Sequence, residues 1–451
     1  MIVSTNPATG AELARFTPLT ADEVETAVDA AVSAQRQWRK RPPAERAAML
    51  RDIAAVLRER KNRYARLIVS EMGKPLVEAE AEIEKCAVTC EHYADHAAEY
   101  LEGRSVTAEA GVVYDPLGVV LAVMPWNYPF WQFFRFAAPA FAAGNGALLK
   151  HANNVPQCAL AVEEVVRDAG FPAGLFRTLL VDVEQIAPLI ADDRIAAVTL
   201  TGSTQVGAIV AAQAGASLKK QVLELGGSDP FLVLADADIQ AAARAAVKAR
   251  FVNVGQSCVN AKRFIVEDAV ADEFVAAFRR HAAELKIGDP ADPATAIGPM
   301  ARANLRDTLH DQVQRSVAAG ATVLAGGEPA DGPGFFYPPT ILDHVRPGMA
   351  AFDEETFGPL AAIIRVPDAG TAVELANRTE FGLGAALWTS DVDRARELAR
   401  EIEAGAVFVN GVVASDPRLP FGGIKKSGYG RELGAEGIRE FCNTKTVWIG
   451  A

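Results

Sequence analysis

Cys258, in the run QSCVN at 256–260, is the residue whose type and setting offer covalent chemistry. Gly255, Gln256 and Asn260 surround it with small and polar groups that leave a thiol reachable. A thiolate adds to a carbonyl carbon, yet an ordinary thiol is only a few per cent ionised at neutral pH unless its surroundings lower its pKa. Attack creates an oxyanion that needs a donor, and release of an acyl group needs a base that activates water. Two distant stretches hold candidates. Glu224 ends the apolar run VLELGG, where partial desolvation would poise a carboxylate as a base. Asn127, within MPWNYP, could donate its amide to the oxyanion. Each has a plainer reading: an inert buried thiol, a surface glutamate at a strand end, an asparagine in a turn before proline.

The elements that must position these residues follow from the apolar periodicity. Thr20 and Glu23 form a capping box ahead of a helix running to Trp38, a second helix opens at Pro43, and a third spans about 76–101. Residues 103–117 alternate and carry turn residues, which predicts a β excursion. Short apolar runs at 118–124, 147–150, 177–181, 196–201 and 221–225 then alternate with helical stretches near 155–169, 184–191 and 204–214. That rhythm predicts a parallel sheet with helices on both faces and a nucleotide site at the carboxyl ends of its strands. A GxGxxG fingerprint is absent. In its place TGSTQVG at 201–207 sets Gly202 and Ser203 at a helix start, suited to a pyrophosphate or simply to capping.

Past the glycine pair 226–227 the rhythm restarts. Runs at 230–234, 263–267, 361–366, 385–389 and 406–410, with helices near 238–251, 270–285, 301–319 and 369–377, describe a second unit. The fold class expected is α/β with two doubly wound parallel-sheet units. NTKTVWI at 443–449 ends the chain as an alternating strand with an open edge. Pairing with the β excursion of a second subunit would cover it, so a homo-oligomer, dimer or tetramer, is expected.

Length and composition set outer limits. A chain of 451 residues exceeds one ordinary core, and hydrophobic residues at 50% can fill two or three. The net charge of −12 offers no basic field for a polyanion, so no nucleic-acid partner is expected. The longest apolar stretches fall short of the roughly 18 residues that span a membrane. Five cysteines (86, 90, 158, 258 and 442) without CxxC, behind a start that is no secretory leader, predict a reducing cytoplasm. Cys86, Cys90, His92 and His96 share one predicted helix. At about 100° per residue the histidines lie well round from the cysteines, so no metal site is expected.

Six stretches taken together carry more weight than any one. MPWNYP, TGSTQVG, LELGGSDP, GQSC, EETFGP and PFGGIKKSG stand in an order and spacing that resemble the aldehyde dehydrogenase superfamily over essentially the whole chain. The resemblance implies a coenzyme domain (1–97 and 117–226), a catalytic domain (227–420) and a bridging β flap for oligomerisation (98–116 and 436–451). It implies Cys258 as nucleophile, its backbone N–H and the Asn127 side chain as oxyanion donors, and Glu224 as the base for the hydrolytic water. Lys150 would bind the adenosine ribose, Ser203 with Gly202 the pyrophosphate, and Glu355 and Phe357 the nicotinamide ribose and ring, with Trp126 lining the cleft. The family often reads ProAlaGlu after that lysine, where this chain reads His151, Ala152 and Asn153. Asn153 removes a carboxylate that would repel a 2′-phosphate, so NAD and NADP both remain open.

The finer wording, KHANNVP and SDPRLPFGGIKKSGYGREL, resembles bacterial NAD(P)-dependent succinate-semialdehyde dehydrogenases. A substrate with a distal carboxylate needs a cation near the nucleophile. Arg135, eight residues beyond Asn127 on an apolar helix, matches that group's carboxylate-binding arginine, with an internal salt bridge as the alternative. A second arginine of some relatives is replaced by Val252, and Ser415 and Arg418 are candidates to substitute for it. The expected small-molecule partner is succinic semialdehyde. Another small or acidic aldehyde, or a non-catalytic binding role, are the alternatives.

Overall fold

The computed structural model describes residues 1–450. The first helix, Ala21–Trp38, starts where Thr20 and Glu23 exchange side-chain and backbone hydrogen bonds, and it buries Val24, Val28, Ala31 and Trp38 at helical spacing. Residues 43–72 fold as three short helices that break at Met49 and Arg60. A 25-residue helix, Leu76–Tyr100, follows. It packs on the helix Trp131–Ala143, which is buried on every side and therefore carries Arg135 into the interior. A hairpin, Ile2–Thr5 with Glu12–Phe16, precedes all of these and was not expected from the periodicity.

Two large sheets carry the molecule. In the first, Phe176–Thr178, Gly146–His151, Val119–Met124, Ile195–Thr201 and Lys220–Glu224 are parallel neighbours, and Gly428–Tyr429 returns from far along the chain to pair antiparallel with Lys220–Glu224. The second has the order Thr322–Ala325, Thr340–Asp343, Leu360–Val366, Ala261–Glu267, Asp229–Val233, Gly384–Trp388 and Ala406–Val409, parallel throughout except for its first pair. Central strands such as Ala261–Glu267 are buried along their whole length, as a sheet covered on both faces requires. The chain passes from one sheet to the other between Glu224 and Asp229. The fold is thus mixed α/β with two parallel-sheet units.

The terminal strand corrects one expectation. Cys442–Trp448 pairs antiparallel with Ala110–Pro116 of its own chain, Cys442 opposite Pro116 and Trp448 opposite Ala110. The short helix Gly434–Glu440 turns the chain back so that Leu117 N–H donates to the Phe441 carbonyl at 3.1 Å, which delivers the strand to its own β excursion. It remains the outer strand of a three-stranded sheet, so an edge is still open.

Candidate active site

The carboxyl ends of the first sheet's strands converge on one region. Trp126 and Asn127 follow Met124, Asn153 follows His151, Gly202 and Ser203 follow Thr201, and Glu224 ends its own strand. Cys258 enters from the second sheet, in the loop between the helical turn Val252–Gly255 and the strand Ala261–Glu267. That loop is tied from all sides. Ser257 N–H donates to Asn260 Oδ1 at 2.8 Å, Lys262 Nζ donates to the carbonyls of Ser257 and Cys258 at 3.1 and 2.8 Å, and Ala301 N–H donates to Gln256 Oε1 at 3.0 Å. Just before it, Asn253 and the β-branched Val254 both hold φ near +55°. Such a conformation persists only where surrounding bonds enforce it.

Two cavities meet at the thiol. A cleft is lined by Trp126, Asn127, Thr201, Gly202, Ser203, Gly226, Arg302, Glu355 and Phe357 together with Cys258. A second cavity of about 220 Å³ is lined by Lys85, Tyr128, Trp131, Arg135, Lys248, Val252, Ser415 and Phe421, again with Cys258. Gln132 borders both. No carboxylate lines the second cavity, and three cations do.

Asn127 directs Nδ2 to the Gln256 carbonyl at 3.1 Å, and its own carbonyl accepts from Asn253 Nδ2 at 3.0 Å. A primary amide has two N–H groups, so one remains unused, and Asn127 and Cys258 line the same cleft. Glu224 is 2% exposed, and neither carboxylate oxygen has a hydrogen-bond partner. Burial raises its pKa well above the usual carboxylate range, opposed by the nearby Arg135. Its side chain lies against Gly422, where an added Cβ would stand 2.7 Å from Oε1, and it does not form part of either cavity wall. The thiol departs from expectation. Burial pushes Cys258 up to about 11, with Arg135 and Lys262 opposing, so the surroundings do not lower its pKa.

Arg135 is 2% exposed and lines the second cavity. Nε lies against the Glu432 carboxylate as a close ion pair without good hydrogen-bond alignment, Nη2 donates to Thr201 Oγ1 at 3.2 Å, and the guanidinium covers the Phe421 ring. This arginine therefore makes the internal salt bridge that was the alternative reading, and it also lines the basic cavity. Ser415 lines that cavity and accepts from Lys85 Nζ at 2.6 Å. Arg418 does not reach it. Its guanidinium turns outward to Asp416, two residues away, at 2.6 and 2.9 Å, a local charge-assisted pair that holds it at the surface.

On the cleft side, Trp126 and Phe357 meet edge to face at 5.8 Å, and Arg302 stacks over the outer face of Trp126. Glu355 accepts from Gly227 N–H at 3.0 Å and faces Lys262 Nζ at 3.6 Å. A Cβ on Gly226 would stand 2.5 Å from the Glu355 carboxylate, so the glycine makes room for it. Ser203 caps the helix Thr204–Ala216, and Gly202 leaves its backbone open, with only Leu200 Cδ2 within 4 Å of an added Cβ. Lys150 Nζ donates to Asn153 Oδ1 at 3.0 Å. These groups fit a dinucleotide: an approachable helix start for phosphates, aromatic walls, a carboxylate for ribose hydroxyls, and a lysine and amide with no acid between them. Lys85, Gln132, Arg302 and Glu432 carry no sequence signal and were missed. On the long helix, Cys86 and Cys90 are buried in the core, while His92 and His96 pack against each other and Tyr100.

Residues 1–447 match the model of the aldehyde dehydrogenase family. The chain belongs to the aldehyde dehydrogenase family. Within it, the chain is 51% identical over 449 residues to a succinate semialdehyde dehydrogenase of Escherichia coli named for NAD(P)+, covering 99% of this chain and 97% of that one. It is 51% identical over 451 residues to a probable succinate-semialdehyde dehydrogenase of Synechocystis named for NADP+, covering 99% of each. A crystal structure of succinic semialdehyde dehydrogenase from Streptococcus pyogenes in complex with NADP+ superposes with a TM-score of 0.97 at 37% identity, covering the whole of both chains. The two cavities therefore belong to an aldehyde dehydrogenase.

Proposed function

We propose that this aldehyde dehydrogenase oxidises succinic semialdehyde to succinate with NAD or NADP. One observation carries the substrate: the cavity that opens on Cys258 is lined by Lys85, Arg135 and Lys248 and by no carboxylate. A four-carbon aldehyde bearing a distal carboxylate matches that field, while an uncharged aldehyde would leave it unused. Relatives named for this substrate at 51% identity support the reading.

The chemistry follows from the chain's own groups. The Cys258 thiol gives its proton to solvent water and the sulfur adds to the aldehyde carbon, whose C=O π electrons pass to the oxygen, forming a thiohemiacetal oxyanion. The spare N–H of Asn127 and the backbone N–H of Cys258 would hold the oxygen that becomes negative. When bound, the nicotinamide coenzyme supplies the hydride acceptor. Trp126, Phe357 and Glu355 would orient its ring and ribose, Gly202 and Ser203 its pyrophosphate, and Lys150 and Asn153 its adenosine ribose. Cys258 then carries the acyl group as a thioester. Glu224, whose burial raises its proton affinity, would have to leave its place against Gly422 to take a proton from water; the resulting hydroxide adds to the thioester carbon and the Cys258 sulfur leaves as thiolate, reprotonated by Glu224.

We further assign residues 1–97 and 117–226 to coenzyme binding, 227–420 to catalysis and 98–116 with 436–451 to self-association. The open edge strand, whose last residue Trp448 is 66% exposed and is followed by Ile449 at 71%, supports an oligomer. Five unpaired cysteines suit a reducing cytoplasm. The test is an absorbance assay of succinic semialdehyde oxidation with NAD and NADP side by side. Reduction of at least one coenzyme with succinate as product is expected, and no reduction of either would reject the assignment.

A further inference from the structure

We infer that Lys85 is the cation that pairs with the substrate's distal carboxylate, held in position by Ser415 and Trp131. The inference rests on the substrate reading above and names the residue that would enforce it. Lys85 projects from the long helix Leu76–Tyr100 into the cavity beside Cys258. Its Nζ lies 4.3 Å from the centre of the Trp131 ring and donates to Ser415 Oγ at 2.6 Å. An ammonium has three N–H donors, so two remain for a carboxylate.

Of the three cations that line the cavity, Arg135 is paired with Glu432, Lys248 is exposed to solvent, and Lys85 is half-buried without an ion-pair partner. On the same helix, buried Glu82 is paired with Lys74 and accepts from the N–H groups of Phe130 and Trp131 at 2.9 and 3.0 Å. Glu78, one turn earlier, accepts from Asn253 N–H at 2.7 Å. Across the cavity Arg135 faces Glu432 directly and Glu224 close by. Among the described residues, Lys85 has no carboxylate within ion-pair distance. A half-buried ammonium without a counter-ion is costly, and an arriving anion removes that cost. Arg135, by contrast, must share its charge with Glu432 before any ligand arrives.

Titration gives an independent handle. Burial lowers Lys85 to about 8, with Arg135 and Lys74 pushing the same way and Cys86 and Glu82 opposing; Lys248 and Cys258 also face the cavity. The ammonium is present below that pH and is lost above it. Carboxylate binding should therefore weaken as pH rises past about 8.

The experiment compares succinic semialdehyde with butanal, an aldehyde of equal chain length without the carboxylate. In Lys85→Gln the ratio of kcat/KM for succinic semialdehyde over butanal is expected to fall about tenfold or more, through KM rather than kcat, with Lys85→Arg restoring most of it. In the wild-type enzyme, competitive inhibition by succinate should weaken about tenfold per pH unit above about 8; this arm needs no variant to fold. A wild-type enzyme that prefers succinic semialdehyde, with the ratio unchanged in Lys85→Gln or succinate inhibition flat from pH 7 to 9.5 (roughly 1.5 units past the lysine's pKa), would overturn the role of Lys85 alone. A wild-type enzyme without that preference would overturn the substrate reading and this inference together.

Discussion

On the cleft side of Cys258 the walls come mostly from the carboxyl ends of neighbouring parallel strands and the loops that leave them. On the other side they come from the long N-terminal helix, the buried helix Trp131–Ala143, the helix Ile239–Phe251 and a loop near 412–421. The cleft presents backbone N–H groups, two aromatic rings and an anchored carboxylate, which suits a ligand shared by many enzymes. The opposite cavity sets three cations, Lys85, Arg135 and Lys248, among aromatic and aliphatic walls. On the proposed assignment, a general coenzyme would be met by local strand-end motifs, whereas the choice of substrate would be distributed over elements hundreds of residues apart.

That contrast can be broken at several points. The largest effect is expected at the shared wall: Cys258→Ser should lower kcat by at least about 10⁴-fold in an absorbance assay. If stoichiometric alkylation of Cys258 left aldehyde oxidation intact, a non-catalytic role for the thiol would be indicated. Asn127→Ala, which removes one oxyanion donor, should cost about 10²- to 10³-fold in kcat.

Arg135 tests whether the basic side is also structural. Arg135→Ala strands the buried Glu432 carboxylate and should destabilise the fold by about 3 kcal/mol or more in thermal or urea unfolding. Adding Glu432→Gln should recover part of that loss; no recovery would mean that the pair does not hold the helix Trp131–Ala143 in place.

Smaller shifts are expected on the cleft side. Asn153→Glu sets a carboxylate beside Lys150 and should lower the NADP-to-NAD preference by about tenfold, read as the ratio of kcat/KM values. The free thiol offers a final check. With Cys258 held up to about 11, its alkylation by iodoacetamide in the coenzyme-free enzyme should quicken up to tenfold per pH unit from 7 to 10, followed by peptide mapping. A plateau near pH 7 would show that the neighbouring cations outweigh burial.

Much of this was legible in the residues, and the reason differs by region. The parallel strands appear as short continuous apolar runs because both faces of each sheet are covered, and the predicted runs at 118–124, 196–201 and 221–225 fall within a residue of the observed strands. Thr322–Ala325, an edge strand with half its residues exposed, carries only a four-residue TVLA segment between a helix and a glycine pair, too short to stand out. Asn127 and Gly202 could be named because each sits at a break between strand and helix, and Glu224 because it ends an apolar strand beside two glycines. Lys85 could not. It lies mid-helix beside a buried stripe, indistinguishable from a solvated lysine until the fold sets Trp131 and Ser415 around it. Glu432 is equally silent, since only the return of the glycine-rich loop to the first sheet brings it to Arg135.

The most direct test of the account is to trap the substrate on the thiol. Glu224→Gln mixed with succinic semialdehyde and excess NADP or NAD should give a burst of reduced coenzyme close to one equivalent per active site, then slow turnover. Peptide mapping of the quenched enzyme should find a succinyl thioester on Cys258. Full steady-state turnover in Glu224→Gln, or an acyl group on any residue other than Cys258, would contradict the roles assigned to both residues.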